Sequence, residues 1–157
     1  MDLVHVGATW LHLLATVAMV GYYPILGLIV LPVFRRFVPA GELGEAIAAV
    51  ERRVLPVIIA SLAVFLATGI YLMTADPQYA GPGKVSGSTW ATLILAKHGV
   101  VAVMVGLGVY LDALIARHAL READEQAAAV RRLFLGTVLM TLLGALVLFL
   151  TAAAQAS

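Results

Sequence analysis

The sequence predicts an all-α integral membrane protein, a four-helix up-down bundle formed as one domain over residues 1–157. Three observations predict it. Hydrophobic residues make up 62% of the chain and charged residues 12%, against roughly 45–50% and about 25% in soluble domains. The mean hydropathy is +1.01. The apolar residues also gather into four runs, each long enough to cross about 30 Å of hydrocarbon, which takes roughly 20 helical residues. With no water to satisfy an exposed backbone in hydrocarbon, helices are the only assignment those runs allow.

The expected spans are residues 3–34, 54–75, 90–116 and 133–154. The first contains Pro24 and Pro32, which predict a kink or an early end after Tyr23. Arg35 and Arg36 follow it, and Arg52 and Arg53 precede the second span. Between these pairs Leu43, Ile47 and Val50 follow i, i+4, i+7 spacing, which predicts a short interfacial helix. Pro56 falls in the first turns of the second span, where it costs little. Residues 76–89 hold Pro77, Gly81, Pro82, Gly83 and Lys84, and are expected to form an exposed, irregular connection. A charged turn carrying Arg117, His118, Arg121, Glu122, Asp124, Glu125, Arg131 and Arg132 joins the third span to the fourth.

All eight arginines thus flank two of the three connections, while the remaining one carries only Lys84. The positive-inside rule places the arginine-rich connections in the cytoplasm and both termini on the outer side, so spans one and three run parallel. Several functions are disfavoured. A net charge of +1 without a basic stripe argues against nucleic acid as a partner. The absence of cysteine removes disulfides, thiolate metal sites and iron–sulfur clusters. No phosphate-cradling glycine loop, Gly-x-Ser-x-Gly elbow or His-Glu-x-x-His motif occurs, and the N-terminus lacks the pattern of a cleavable signal.

The residues that carry chemistry are two histidines. His12 lies roughly nine residues into span one and His98 roughly eight into span three, both about 12–14 Å deep at 1.5 Å per residue. In an up-down bundle those spans are diagonal, about 12–14 Å apart when neighbours are 8–10 Å apart. That separation suits a haem between two imidazoles better than a bare ion. Intramembrane ionisable groups are functional by default. The plainer alternative is a neutral imidazole hydrogen-bonded to a neighbouring helix.

Ala8, Thr9, Ala15 and Thr16 around His12, and Gly99, Ala102 and Gly106 near His98, leave room for a macrocycle or for close helix packing. Small residues on span two (Ser61, Thr68, Ala75) and span four (Thr137, Thr141, Gly144) also suit close packing. His5 is an interfacial residue, a partner for a haem propionate, or a second ligand. Lys97 either snorkels outward past Trp90 or pairs with a propionate or an anionic substrate. Asp112 pairs with an inner-interface arginine or begins a proton path. Tyr22, Tyr23, Trp10, Trp90, Tyr71 and Tyr79 are belt or packing aromatics, and Tyr22 is too deep for an outer belt. His118 is solvated surface. Met19 shares a face with His12, which admits copper(I), but the five methionines are dispersed in sequence and gap-filling suits them better.

Most of the chain resembles known families through short apolar motifs. Trp10 to Ala15, Gly21, and Leu31-Pro32 before Arg35-Arg36 resemble the first span of CopD-type (copper resistance D-like) membrane proteins. Arg52-Arg53 with Leu66 to Leu72 resemble the second span, and Trp90, Lys97 and Tyr110 to Asp112 the third. Histidine in span one with lysine in span three is also similar to the HemJ-type haem-binding membrane proteins. These resemblances imply a small protein of the bacterial inner (plasma) membrane that binds haem b through His12, with copper handling as the CopD-type label. His98 belongs to neither pattern, and where the HemJ type has tyrosine-histidine this chain has Tyr110-Leu111.

The resulting expectation is a b-type haem held by His12 and His98 in the outer leaflet. Two strong ligands leave no open iron position, so the expected role is electron transfer, like a membrane cytochrome b. Quinol or a periplasmic donor is the expected redox partner, in the lipid bilayer, with a homo-oligomer or a larger membrane complex supplying any second centre. The alternatives are a copper-transport protein, and a structural subunit whose histidines are merely hydrogen-bonded.

Overall fold

The computed structural model describes residues 2–81, 88–118 and 123–157, with the side chains of 118 and 123–127 excepted. Pro82, Gly83, Lys84, Arg121 and Glu122, and the side chains of His118, Asp124 and Glu125, lie outside the described residues. The described chain is helical almost throughout. Four helical rods, Leu3–Phe37, Ala40–Ala75, Thr89–Arg117 and Ala128–Gln155, are long and apolar enough to cross a membrane.

Helix α1 (Leu3–Ile25) starts at Asp2, whose carboxylate accepts from the backbone N–H groups of Val4 and His5 at 2.9 and 3.4 Å. It does not end after Tyr23. Pro24 is carried inside it, and a π-helical turn over Leu26–Val30 leads into α2 (Leu31–Phe37), where Pro32 falls in the first turn. The widened turn is why the rod continues. The Leu31 N–H reaches back to the Leu26 carbonyl, the longer bond of a π bulge inserted between the two prolines. Gly27 in that turn lies so close to Thr137 of the last helix that an added methyl group would collide with the hydroxyl.

After Val38-Pro39 and a 3₁₀ turn at Ala40–Glu42, helix α3 runs unbroken over Leu43–Ala75. The expected interfacial helix and second span are therefore one helix, and Pro56 sits in its interior instead of its first turns. No glycine interrupts residues 45–55, and Arg52 and Arg53 are exposed, so their charges do not oblige the helix to stop. Helix α4 (Thr89–His118) is capped by the Ser88 hydroxyl, which accepts from Ala91 N–H at 3.1 Å. Helix α5 covers Ala123–Gln155.

The most extensive packing is of α4 on α5 and of α1 on α3; α1 also packs on α5, whereas α3 meets α4 lightly. Glycines set the closest approaches. A side chain at Gly136 would strike Leu111, and one at Gly144 would come within 2.9 Å of Val20. The small-residue reading of span four is met at these contacts.

The core runs from Leu31 and Leu133 at one end through Leu26, Leu111 and Met140 to Val147. A second cluster of Trp90, Ala91 and Ala154, backed by Met73 and Tyr79, seals the other end. Trp90 is therefore a core residue and not a belt residue. Threonine hydroxyls bond within their own helices, for example Thr141 to the Thr137 carbonyl and Thr151 to the Val147 carbonyl, both at 2.8 Å. Large apolar side chains such as Leu13, Val17, Leu28, Val109 and Phe149 are exposed on the outside, as a surface facing hydrocarbon requires.

The π turn supplies a test. Gly27→Ala is expected to lower stability by about 1–3 kcal/mol through overpacking against Thr137. The double variant with Thr137→Ala should recover most of the loss, measured by unfolding in detergent.

Candidate functional site

Helix α1 and the second half of α3 build the environment of His12. On α3, Phe65, Thr68 and Gly69 are spaced i, i+3, i+4 and share a face. The His12 ring stacks on Phe65, with centroids 4.4 Å apart and planes 21° apart. Its Nδ1 lies 2.9 Å from the Thr68 hydroxyl. That hydroxyl donates its only proton to the Val64 carbonyl at 2.6 Å, so it accepts from His12 Nδ1–H. The tautomer assigned by this network leaves Nε2 as a bare acceptor without a protein partner among the described residues. Gly69 provides clearance, since a side chain there would sit 3.2 Å from the ring's Cε1. Thr16 completes the setting by donating to the His12 carbonyl at 2.7 Å.

His98 is placed differently. His12 and His98 each lie nine residues beyond the start of their helices. Their faces do not match. His98 is exposed, and its Nδ1 donates to the Ile94 carbonyl of its own helix at 2.7 Å. Lys97, one residue earlier, is the half-buried member and acts electrostatically on His12. Rotation of about 100° per residue puts the two consecutive side chains on different faces of α4, and the packing turns that of Lys97 toward the bundle. Lys97 has neither a hydrogen-bond partner nor a carboxylate partner among the described residues. Trp90, one heptad before Lys97, is closed into the core. His5 is exposed, and its ring lies 6.4 Å from that of Tyr71.

The sequence reading missed a second polar group deeper in the bundle. The Tyr22 hydroxyl donates to the Glu51 carboxylate. Tyr23 packs edge-on against Tyr22 at 5.1 Å, and Asp112 of α4 acts electrostatically on Tyr22, Tyr23 and Glu51. Among the described residues Asp112 has no arginine partner; Arg121 of the adjoining turn lies outside them. Glu51 was legible in principle: it lies four residues after Ile47 and in register with Leu55, Ile58, Leu62 and Phe65. Treating the segment before residue 54 as a separate helix hid that register.

These groups border a cavity of about 260 Å³ between the four helices. Phe65 and Thr16, both in contact with His12, line one end, and Tyr22, Tyr23, Glu51 and Asp112 line the other. Met19, Met104 and Met140 are in its wall, so methionines dispersed in sequence gather here. No group of three His, Asp or Glu side chains able to hold a metal ion occurs among the described residues. No family model, curated protein or solved structure matches the chain.

Two outcomes follow from this geometry. Nitrogen-15 NMR of the protein without added cofactor should find His12 in the Nδ1–H form, with that preference lost in Thr68→Val. Tyr22→Phe removes the donor to Glu51 and should cost about 1–3 kcal/mol. Tyr23→Phe should cost less than half as much in the same unfolding measurement, since that hydroxyl has no hydrogen-bond partner among the described residues.

Proposed function

We propose that the chain is a membrane-embedded haem protein in which His12 Nε2 is the axial ligand to b-type haem. One observation carries the reading. His12 is held at Nδ1 by Thr68 with Nε2 left bare, the arrangement in which ligating histidines are oriented by a second hydrogen bond. The half-buried Lys97 ammonium is the group suited to a haem propionate. The donor set thus fits one axial bond and one carboxylate. His98, turned outward and bonded to Ile94, is not suited to be the opposite ligand.

That difference changes the role. An iron held by one histidine keeps a position for exchange, which favours oxidoreductase chemistry on a small substrate over electron transfer through a bis-histidine centre. Bound haem would supply the redox step; the chain's own residues orient the imidazole and offset the propionate charge. The pairings Tyr22–Glu51 and His12–Thr68 between α1 and α3, and Gly27–Thr137 and Val20–Gly144 between α1 and α5, support an up-down arrangement. The arginine distribution supports cytoplasmic connections and outer termini, and the resemblances in spans one to three support a bacterial inner membrane. Copper(I) is the second reading, favoured by the three thioethers in the cavity wall.

Absorption spectra of the purified protein test these readings. A reduced-state alpha band should be present in the parent and in His98→Ala, and absent in His12→Ala. Lys97→Met should weaken haem retention about tenfold, the order of one charge-assisted hydrogen bond of about 1.5 kcal/mol. Loss of the band in His98→Ala would restore the bis-histidine site. A colourless protein with bound copper supports the second reading, and one with neither overturns both.

A further inference from the structure

The light packing of α3 on α4 has a consequence for the cavity. Ile59 on α3 and Val105 and Val109 on α4 line it, yet they are 59%, 36% and 66% exposed. They form a lateral mouth facing the hydrocarbon. The volume of about 260 Å³ is close to the lower bound of about 300 Å³ usual for small-molecule sites, which suits one ring with its tail left in lipid. Leu55, Ile58, Leu62, Val101 and Met104 make the walls apolar, and the thioether adapts to a flat ring face.

The inner end is polar and incompletely satisfied. Glu51 is engaged by Tyr22, but the Tyr23 hydroxyl and the Asp112 carboxyl have no hydrogen-bond partner among the described residues. They lie beside one another: a side chain at Gly108 would come within 3.1 Å of the Tyr23 hydroxyl, and Asp112 follows Gly108 by one turn on the same face. Gly108 keeps that corner open. An acyl chain in the cavity would leave both groups unpaired in hydrocarbon, which is costly. The complementary occupant has an apolar body and a head offering both a hydroxyl donor and an oxygen acceptor.

We propose that this cavity is a binding site for a lipid-soluble quinol, entered from the bilayer between α3 and α4. The quinol hydroxyl donates to Asp112, and its oxygen accepts from Tyr23. This site rests on the cavity and its mouth, independently of haem at His12, and it gives the oxidoreductase reading a substrate class.

Saturation binding of radiolabelled decylubiquinol, kept reduced under argon, tests the site in lipid nanodiscs against empty discs. The parent should bind saturably with one molecule per chain. The double variant Tyr23→Phe/Asp112→Asn should bind at least tenfold more weakly, as should Val109→Trp, which fills the mouth from a lipid-facing position. Leu142→Trp, on the lipid-facing surface of α5 away from the cavity, should bind like the parent and shows that a surface tryptophan is tolerated. Uptake no greater than in empty discs, or parent-like binding by both the double variant and Val109→Trp, overturns the proposal. Haem content measured on the same samples separates the readings. Saturable binding without haem sinks only the haem site, and haem without saturable binding sinks only this one.

Discussion

Inside hydrocarbon a polar side chain must find its partner within the protein, and α1 is where this constraint is met. Its histidine bonds across to Thr68, and its Tyr22 bonds across to Glu51 on the same partner helix. The two contacts lie ten residues apart, about 15 Å along the helix axis. They pin α1 to α3 at two levels. Between those levels the bundle is not closed, and the cavity occupies that interval. On its other side α1 docks on α5 through Gly27 and Val20, where the π turn and the glycine at 144 allow backbone and side chains to approach closely. The firm partners of α1 thus leave the α3–α4 seam as the place where the bundle can admit a guest.

The interior carries opposite electrostatic character at its two ends. The His12 level has an imidazole acceptor and a lysine, neither with a partner among the described residues; the Tyr22 level has two carboxyl groups and two phenols. Apolar side chains and the three methionines separate them. The proposed haem ligand and the proposed quinol site fall at opposite ends of this interior.

Four long apolar runs in a cysteine-free chain were enough to place the helices, because composition and length decide that question in a membrane. Register was harder to read. His12 was read from the sequence as a haem ligand, and its bond to Thr68 is the plainer alternative raised beside that reading; nothing in a single helix's pattern says which of two adjacent residues, Lys97 or His98, turns inward. The polar residues of α4, Lys97, His98 and Asp112, do not gather on one face, so its periodicity carries little orientation, and the inward face is decided by its partners. Glu51 was missed for another reason. Charges at Arg52 and Arg53 suggested a helix boundary that the backbone does not observe, and a residue assigned to an interface cannot be seen as core. Of the two outcomes expected at Pro24, a kink or an early end, the early end does not occur, because a π turn, which depends on the glycine at residue 27 beside Thr137, carries the rod on and is invisible to propensity.

The account stands or falls on one histidine, not two, serving as the protein ligand. Electron paramagnetic resonance of the oxidised, haem-loaded protein in membranes reads this directly. A high-spin ferric signal is the expected result, as for iron with a single imidazole and an exchangeable position. A low-spin signal of the bis-histidine type would contradict the account, because it would require His98 or His5 to leave the position and partner seen in the structure.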